Sequence, residues 1–316
     1  MQFSNFYQIY LNIIVVGETG LGKSTFIDFF LKKYKISSIK QKTTQIKKKV
    51  AQKKEGKQNL ILKFIDTPGY QKNDNLQQWV QNIQSYIIKR VYKYTFNIQL
   101  QFFKKQNKQQ YFHFLFIKQF IYQKIHCCLY FLSGPRISQQ DIQNMKQLEK
   151  IVNIIPILSK GDSYTTSEVI QIKKSLLNDA SNYKLNWFNY KIQKELLQGP
   201  FGQSPPFLVI SSIQSIKTNK NETIYGRSYP WGICNIENPQ HSDFILLYHY
   251  LIGYFTLELI KNTEKLYKNY RKTQKQNKIE KKNCDVITNQ VIKYCGGILT
   301  LTLIGLSQYQ QFQKKQ

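Results

Sequence analysis

The sequence predicts an α/β fold of three layers, with helices on both faces of a mainly parallel sheet, and three observations carry that expectation. Residues 9–16 form a β-branched apolar run that ends in glycine. A short glycine-rich turn follows it and opens a helical pattern over residues 25–33. Further apolar runs at 60–65, 127–132, 151–158 and 207–210 are separated by polar segments long enough for the crossover helices that parallel strands require. In such a sheet a ligand sits at the carboxyl ends of the strands, and each motif below falls at such an end.

The chain has 316 residues, 41% of them hydrophobic. That is enough for one α/β domain of about 250 residues with an extension, but not for two full domains. Four segments are read along it: a short lead over 1–8, the domain over 9–271, a basic linker over 272–293 and a short tail over 294–316. Residues 89–124 are rich in Gln, Lys, Phe and Tyr without a clear period and read as a partly helical connection. Residues 178–206 are a second variable stretch, broken at Gly199-Pro200 and Pro205-Pro206. Apolar residues recur at helical spacing over 243–271.

Lys and Arg number 46 against 18 acids, a formal charge of +28. A potential of that sign favours polyanionic neighbours, namely an anionic membrane, a bound nucleotide or an acidic partner. No nucleic-acid module or aromatic stacking platform accompanies the charge, so no specific nucleic-acid partner is expected. The five cysteines show no CxxC spacing, and no nearby pair of histidines stands at metal-ligand spacing, so reduced thiols in the cytosol are expected. The first twelve residues lack the pattern of a secretory signal, and a cytosolic start is expected.

Gly17, Glu18, Thr19, Gly20, Leu21, Gly22, Lys23 and Ser24 fit G-x-x-x-x-G-K-[ST], placed after one strand and before one helix. Glycines let backbone N–H groups approach phosphate oxygens, and the helix start points its positive end at the same anion. Lys23 is expected to reach the β and γ phosphates, Ser24 to offer a hydroxyl to Mg²⁺, and Thr25 to donate to the α phosphate. Asp66-Thr67-Pro68-Gly69 follows the 60–65 run, so that Asp66 can orient a metal-bound water and the Gly69 amide can sense the γ phosphate. Ser159-Lys160-Gly161-Asp162 follows the 151–158 run. A carboxylate at Asp162 would accept two hydrogens from guanine, which adenine does not present, while Lys160 would lay its stem along the base.

Beyond these motifs, several longer stretches are similar to septins, a family of GTPases that polymerise into filaments. They are residues 125–131 and 152–157, Gly226-Arg227-Ser228-Tyr229-Pro230-Trp231-Gly232, and Glu237-Asn238-Pro239-Gln240-His241-Ser242-Asp243-Phe244. The resemblance covers residues 9–271 and is thin over 89–124 and 178–202. It implies a septin-type G domain on a P-loop NTPase fold, with GTP or GDP and Mg²⁺ as cofactors. By the same matching, Thr43 is the switch threonine on Mg²⁺ and the attacking water, with Thr44 adjacent; a surface strand threonine is the competing reading. Arg227 is implied at the guanine side, and Ser211 stands where the family usually has glycine. Glu168 is implied to face a partner's nucleotide, and Trp231 to lie at the nucleotide-side interface.

The resemblance further implies other septin-type subunits as partners, through nucleotide-side and terminal contacts. It points to a slow GTPase acting as a filament or scaffold subunit at membranes, in cell division or cytoskeletal organisation. Tyr70 occupies the position after Gly69 where a water-orienting glutamine would stand, which fits slow turnover. Two alternatives stay open: a nucleotide-bound structural subunit without hydrolysis, and a membrane-anchored relative. Residues 133–141 depart from the family, being short and without histidine, and Arg136 is the candidate replacement. No sustained heptads follow Arg271. Residues 294–306 are uncharged and mostly apolar, and read either as a membrane anchor, with the mitochondrial outer membrane as one location, or as a packed terminal helix.

Overall fold

Buried β-branched residues explain the first strand. In β1 (Tyr7–Gly17), Ile13, Ile14, Val15 and Val16 are all fully buried, so both faces are covered, as a central parallel strand requires. The computed structural model describes residues 7–32, 46–55, 58–71, 75–102, 124–190, 199–202, 204–217 and 222–276. After β1 come α1 (Lys23–Lys32), β2 (Lys47–Glu55), β3 (Gln58–Asp66), α2 (Leu76–Phe102), β4 (Cys127–Leu132), α3 (Gln139–Leu148), β5 (Asn153–Leu158) and α4 (Thr166–Asn182). Then follow β6 (Phe207–Leu208), β7 (Ser215–Lys217), β8 (Thr223–Tyr229), β9 (Gly232–Asn235), α5 (Phe244–His249) and α6 (Thr256–Gln276).

Six strands form one sheet in the order β2-β3-β1-β4-β5-β6, parallel except for β2, which runs antiparallel to β3. The α/β class with a mainly parallel sheet is therefore as predicted. Ile13 pairs Phe64 on one side of β1 and Cys127 on the other, which aligns the carboxyl ends of the three central strands. β7, β8 and β9 make a separate antiparallel sheet absent from the sequence reading.

The aromatic core sets the position of α1. Phe26 packs edge-on against Phe131 of β4 at 5.6 Å, Phe30 against Phe64 of β3 at 5.0 Å, and Phe29 against Phe244 of α5 at 4.8 Å. Each such contact adds about 1 kcal/mol to simple area burial. With both flanking elements pinned in the core, the turn between β1 and α1 is held at the sheet's carboxyl edge.

Three elements differ from the sequence reading. β2 is a strand although five of its nine residues are lysine; lysines on an edge strand oppose pairing with foreign strands, and they also erase the apolar alternation. α2 is one helix of 27 residues that already begins at Leu76, ahead of the partly helical connection expected over 89–124, of which residues 103–123 lie outside the described residues. The helical spacing expected over 243–271 is realised as two helices with a break between them. A π turn over Tyr250–Tyr254 follows α5, and α6 leaves at 70°. Gly253 lowers the cost of the break, and the Thr256 hydroxyl donates to the Leu251 carbonyl at 2.6 Å, satisfying an acceptor at the bend.

The chain divides into two compact units, Met1–Leu266 and Tyr267–Gln316. In the second unit the described residues are helical as far as Gln276. Most of the 272–293 linker and all of the 294–306 apolar stretch lie outside the described residues. Among those described, no single helix is long and apolar enough to cross a membrane.

Candidate functional site

The turn from Gly17 to Gly22 leaves β1 and enters α1 through glycines in the left-handed region, with φ of +86° at Gly20 and +81° at Gly22. Lys23 begins α1 and is 6% exposed. Its Nζ donates to the Gly17 carbonyl at 3.0 Å and to the Glu18 carbonyl at 2.6 Å, so it closes over the turn. Burial pulls its pKa down to about 8, against the opposing charges of Asp66 and Glu18. Thr19 and Leu21 complete the turn, and Ser24 and Thr25 sit half-buried in the first turn of α1.

Asp66 is fully buried at the end of β3, close enough to Lys23 for its charge to oppose the burial-driven fall of the Lys23 pKa. The segment after it is fastened at three points. The Thr67 hydroxyl donates to the Val15 carbonyl at 2.7 Å, Trp79 Nε1 to the Pro68 carbonyl at 3.0 Å, and the Thr19 amide to the Tyr70 carbonyl at 2.9 Å. A Cβ on Gly69 would stand 2.6 Å from Lys23 Nζ and from the Thr19 amide nitrogen, so any side chain there would fill the cradle. Asp66 interacts electrostatically with Lys23 at this cradle, and Ser24 follows Lys23 in α1. One hydroxyl and one carboxylate, completed by phosphate oxygens and water, suit a hard octahedral cation such as Mg²⁺. Thr43 and Thr44 lie outside the described residues.

Tyr70 points away from the cradle. Its hydroxyl donates to Asp141 Oδ1 at 2.5 Å, and the same carboxylate accepts from Tyr130 at 2.7 Å and from Ser138 at 2.7 Å. Burial and the Asp141 charge push the Tyr70 pKa up. Nothing in the motif reading pointed to this cluster, because Asp141 lies 71 positions from Tyr70.

The second half of the site grows from the carboxyl end of β5. Lys160 adopts φ +56°, ψ +45° and is exposed, and a 3-10 turn over Gly161–Ser163 carries Asp162. The Asp162 side chain is 2% exposed. Its Oδ2 accepts from Arg227 Nη1 at 2.8 Å and from the Tyr229 hydroxyl, while its Oδ1 is buried with no partner. A buried orphan carboxylate oxygen is unfavourable unless a donor arrives. Arg227 Nη2 also donates to the Ser211 carbonyl at 3.0 Å.

Ser211 links the two halves. A Cβ on Gly22 would stand 2.8 Å from the Ser211 Cβ, so serine fits here because its neighbour in the phosphate turn is glycine. Arg227, Ser211, Asp162 and the phosphate turn are thus contiguous. A cavity of about 420 Å³ opens beside Asp162 and is bounded by Thr165, Phe201, Tyr229, Trp231 and His241.

Glu168 does not join this group. It closes a capping box at the start of α4, accepting from the Thr165 amide at 2.7 Å and hydroxyl at 2.8 Å, bonds that hold its carboxyl below the usual range. Arg136 is fastened to the buried Asp179 carboxylate through Nη2 at 2.7 Å and Nε at 2.9 Å, although its own side chain is 71% exposed. Trp231, at the tip of the β8–β9 hairpin, is 79% exposed.

Comparison with known proteins agrees with this arrangement. The family model described as Septin matches residues 7–284. Septin-2 of Mus musculus is 31% identical over 281 residues, covering 82% of this chain and 72% of the relative. The septin homolog spn5 of Schizosaccharomyces pombe is 31% identical over 269 residues, covering 84% of this chain but 54% of the homolog, so the chain spans about half of that relative. The crystal structure of a septin GTPase domain from Chlamydomonas reinhardtii shares the fold at a TM-score of 0.64 and 20% identity, covering 84% of this chain and 99% of that one. The phosphate turn, the buried carboxylate after β5 and the Gly226–Gly232 hairpin thus sit on a chain that belongs to the septin family of GTP-binding proteins.

Proposed function

We propose that the domain holds GTP or GDP between the Gly17–Lys23 turn and Asp162, with Mg²⁺ on Ser24, Asp66 and Thr43, and that it acts as a filament or scaffold subunit. The observation that carries the reading is the buried, unpartnered Asp162 Oδ1 beside Arg227, contiguous through Ser211 with the phosphate turn. A guanine N1–H and 2-amino group supply the donors that this carboxylate lacks. Lys23, already aimed into the turn, exchanges backbone carbonyls for phosphate oxygens. When bound, the cation neutralises phosphate charge.

Slow turnover fits the fastening of Tyr70 to Asp141, which leaves the residue after Gly69 unable to orient a water. The same contact favours a second reading, a subunit in which nucleotide is a permanent structural cofactor. Single-turnover hydrolysis separates the two: phosphate release that Thr43→Ala abolishes supports the GTPase, and none from the parent chain supports the structural role. Partner septin-type subunits are proposed to meet the hairpin at the exposed Trp231. Anionic lipid is proposed as a further partner on the strength of the +28 charge.

The deciding experiment denatures the purified full chain and identifies released nucleotide by chromatography, alongside Asp162→Asn. Guanine nucleotide from the parent is the expected outcome. In the variant Arg227 and Tyr229, both donors, hold the amide oxygen on their side and turn its NH₂ toward the base, so guanine is lost on the order of 100-fold in affinity. Adenine nucleotide, or equal guanine content in both proteins, would overturn the reading.

A further inference from the structure

Asp162 raises a problem of lone pairs. A carboxylate has about four acceptor positions, two on each oxygen. Guanine presents N1–H and a 2-amino group side by side, and a bidentate contact takes one position on each oxygen. On Asp162 both positions of Oδ2 are already filled, by Arg227 Nη1 and by the Tyr229 hydroxyl, while Oδ1 has none filled. Side-on binding of guanine therefore requires one of the two donors to leave.

The two are not equally held. Arg227 is charged and anchored twice, through Nη1 on Asp162 and through Nη2 on the Ser211 carbonyl at 3.0 Å. Tyr229 is neutral, half-exposed, and reaches Asp162 through its hydroxyl alone. A charge-assisted bond from a doubly fixed guanidinium outlasts one from a phenol. Tyr229 is the donor that yields.

We propose that Tyr229 is a gate on the base-reading carboxylate: its hydroxyl occupies Asp162 Oδ2 when the site is empty and is displaced by the 2-amino group of an arriving guanine. The gate has an outer end. The Tyr229 ring lies on the indole of Trp231, with centroids 4.9 Å apart and planes 6° from parallel, and Trp231 is 79% exposed at the hairpin tip. Displacing the hydroxyl moves a ring that supports the most exposed aromatic surface among the described residues. Occupancy of the base site is in this way reported at the hairpin, and a molecule that grips Trp231 biases the gate in return.

The inference rests on the reading of Asp162 as the guanine-binding carboxylate and deepens it. Its test compares GDP with IDP, whose hypoxanthine keeps N1–H but has no 2-amino group and so needs Oδ1 alone. Affinities are measured by calorimetry for the full chain and for Tyr229→Phe, which preserves the ring stack and removes the hydroxyl. The expected result is a split: GDP binds about tenfold more tightly to the variant, the worth of one displaced bond to a charged group, and IDP is unchanged.

Acrylamide quenching of tryptophan fluorescence gives the second readout, since Trp231 is far more exposed than the buried Trp187 and the half-buried Trp79, and any response of Trp79 to phosphates is common to GDP and IDP. GDP should alter quenching in the parent more than IDP does, and the difference should vanish in the variant. Equal weakening of both nucleotides by Tyr229→Phe would mean that the hydroxyl only orients Asp162, and would overturn the gate while leaving the guanine reading intact. Failure of the parent to bind either nucleotide would overturn both.

Discussion

Lys23 shows how one buried side chain ties the site to pH. Its ammonium is desolvated in the phosphate turn, and its pKa falls from the ordinary 10.5 to about 8. The unfolded chain therefore holds this proton more tightly than the folded one, so the nucleotide-free protein gains stability as pH rises from about 8 toward 10.5. A bound phosphate reverses the balance by placing negative charge beside the ammonium. Nucleotide binding near pH 8 should consequently take up about half a proton, and close to none near pH 6. Calorimetry in two buffers of different ionisation enthalpy reads this directly, and Lys23→Met should remove it. A binding heat independent of buffer at pH 8 would contradict the account. Lys23 and Asp162 both stood out as candidates from motif spacing, because each motif states a chemical need as well as a position. Tyr229 was not: its bond to Asp162 spans 67 positions, and in the sequence it was only one letter of a family run.

Among the elements, the junction of α4, β6 and α5 fastens Phe201, one of the residues that line the cavity. Lys173 on α4 donates to Asp243 Oδ2 at 2.5 Å and to the Phe201 carbonyl at 2.7 Å, and the same Oδ2 accepts the Leu208 amide at 2.7 Å. Burial shifts both partners toward their neutral forms, lowering the Lys173 pKa and raising that of Asp243, so desolvation outweighs the mutual attraction for each. Such a pair adds little net stability while it is intact, yet removing one member strands a buried charge. Lys173→Met should cost about 3–5 kcal/mol in chemical denaturation, whereas Lys146→Ala, which breaks the more exposed pair with Glu149 at 3.9 Å, should cost at most about 1 kcal/mol. Equal effects would show that the junction is not organised around Asp243. Strands buried on both faces were readable as continuous apolar runs, which is why β1, β3, β4 and β5 were found. β2 and the β7–β9 sheet were missed because their residues are exposed or lysine-rich, and their pairing comes from neighbours rather than from their own pattern.

At the scale of the molecule, the excess of 46 basic over 18 acidic residues makes long-range electrostatics a first-order property. Attraction to an anionic surface is screened over about 10 Å at 0.1 M salt and about 3 Å at 1 M. Sedimentation with vesicles of mixed phosphatidylcholine and phosphatidylserine should therefore show binding at low salt that is lost at high salt, and none to phosphatidylcholine alone. Salt-resistant binding would instead implicate apolar insertion.

Sequence alone was enough for the fold class, and it singled out the glycine-rich turn and Asp162 as the candidate phosphate and base sites. These follow from periodicity and from chemistry that demands particular residues at fixed short spacings, and short-range order survives in a linear string. Only the tertiary structure decided that Tyr70 is tied to Asp141, that Glu168 caps its own helix, that Arg136 is fastened to Asp179, and that Tyr229 closes on Asp162 beneath an exposed tryptophan. Each is a choice of hydrogen-bond partner among residues far apart in the chain. Such choices are made by which groups burial brings within about 3 Å of one another, and residue order carries no local trace of that.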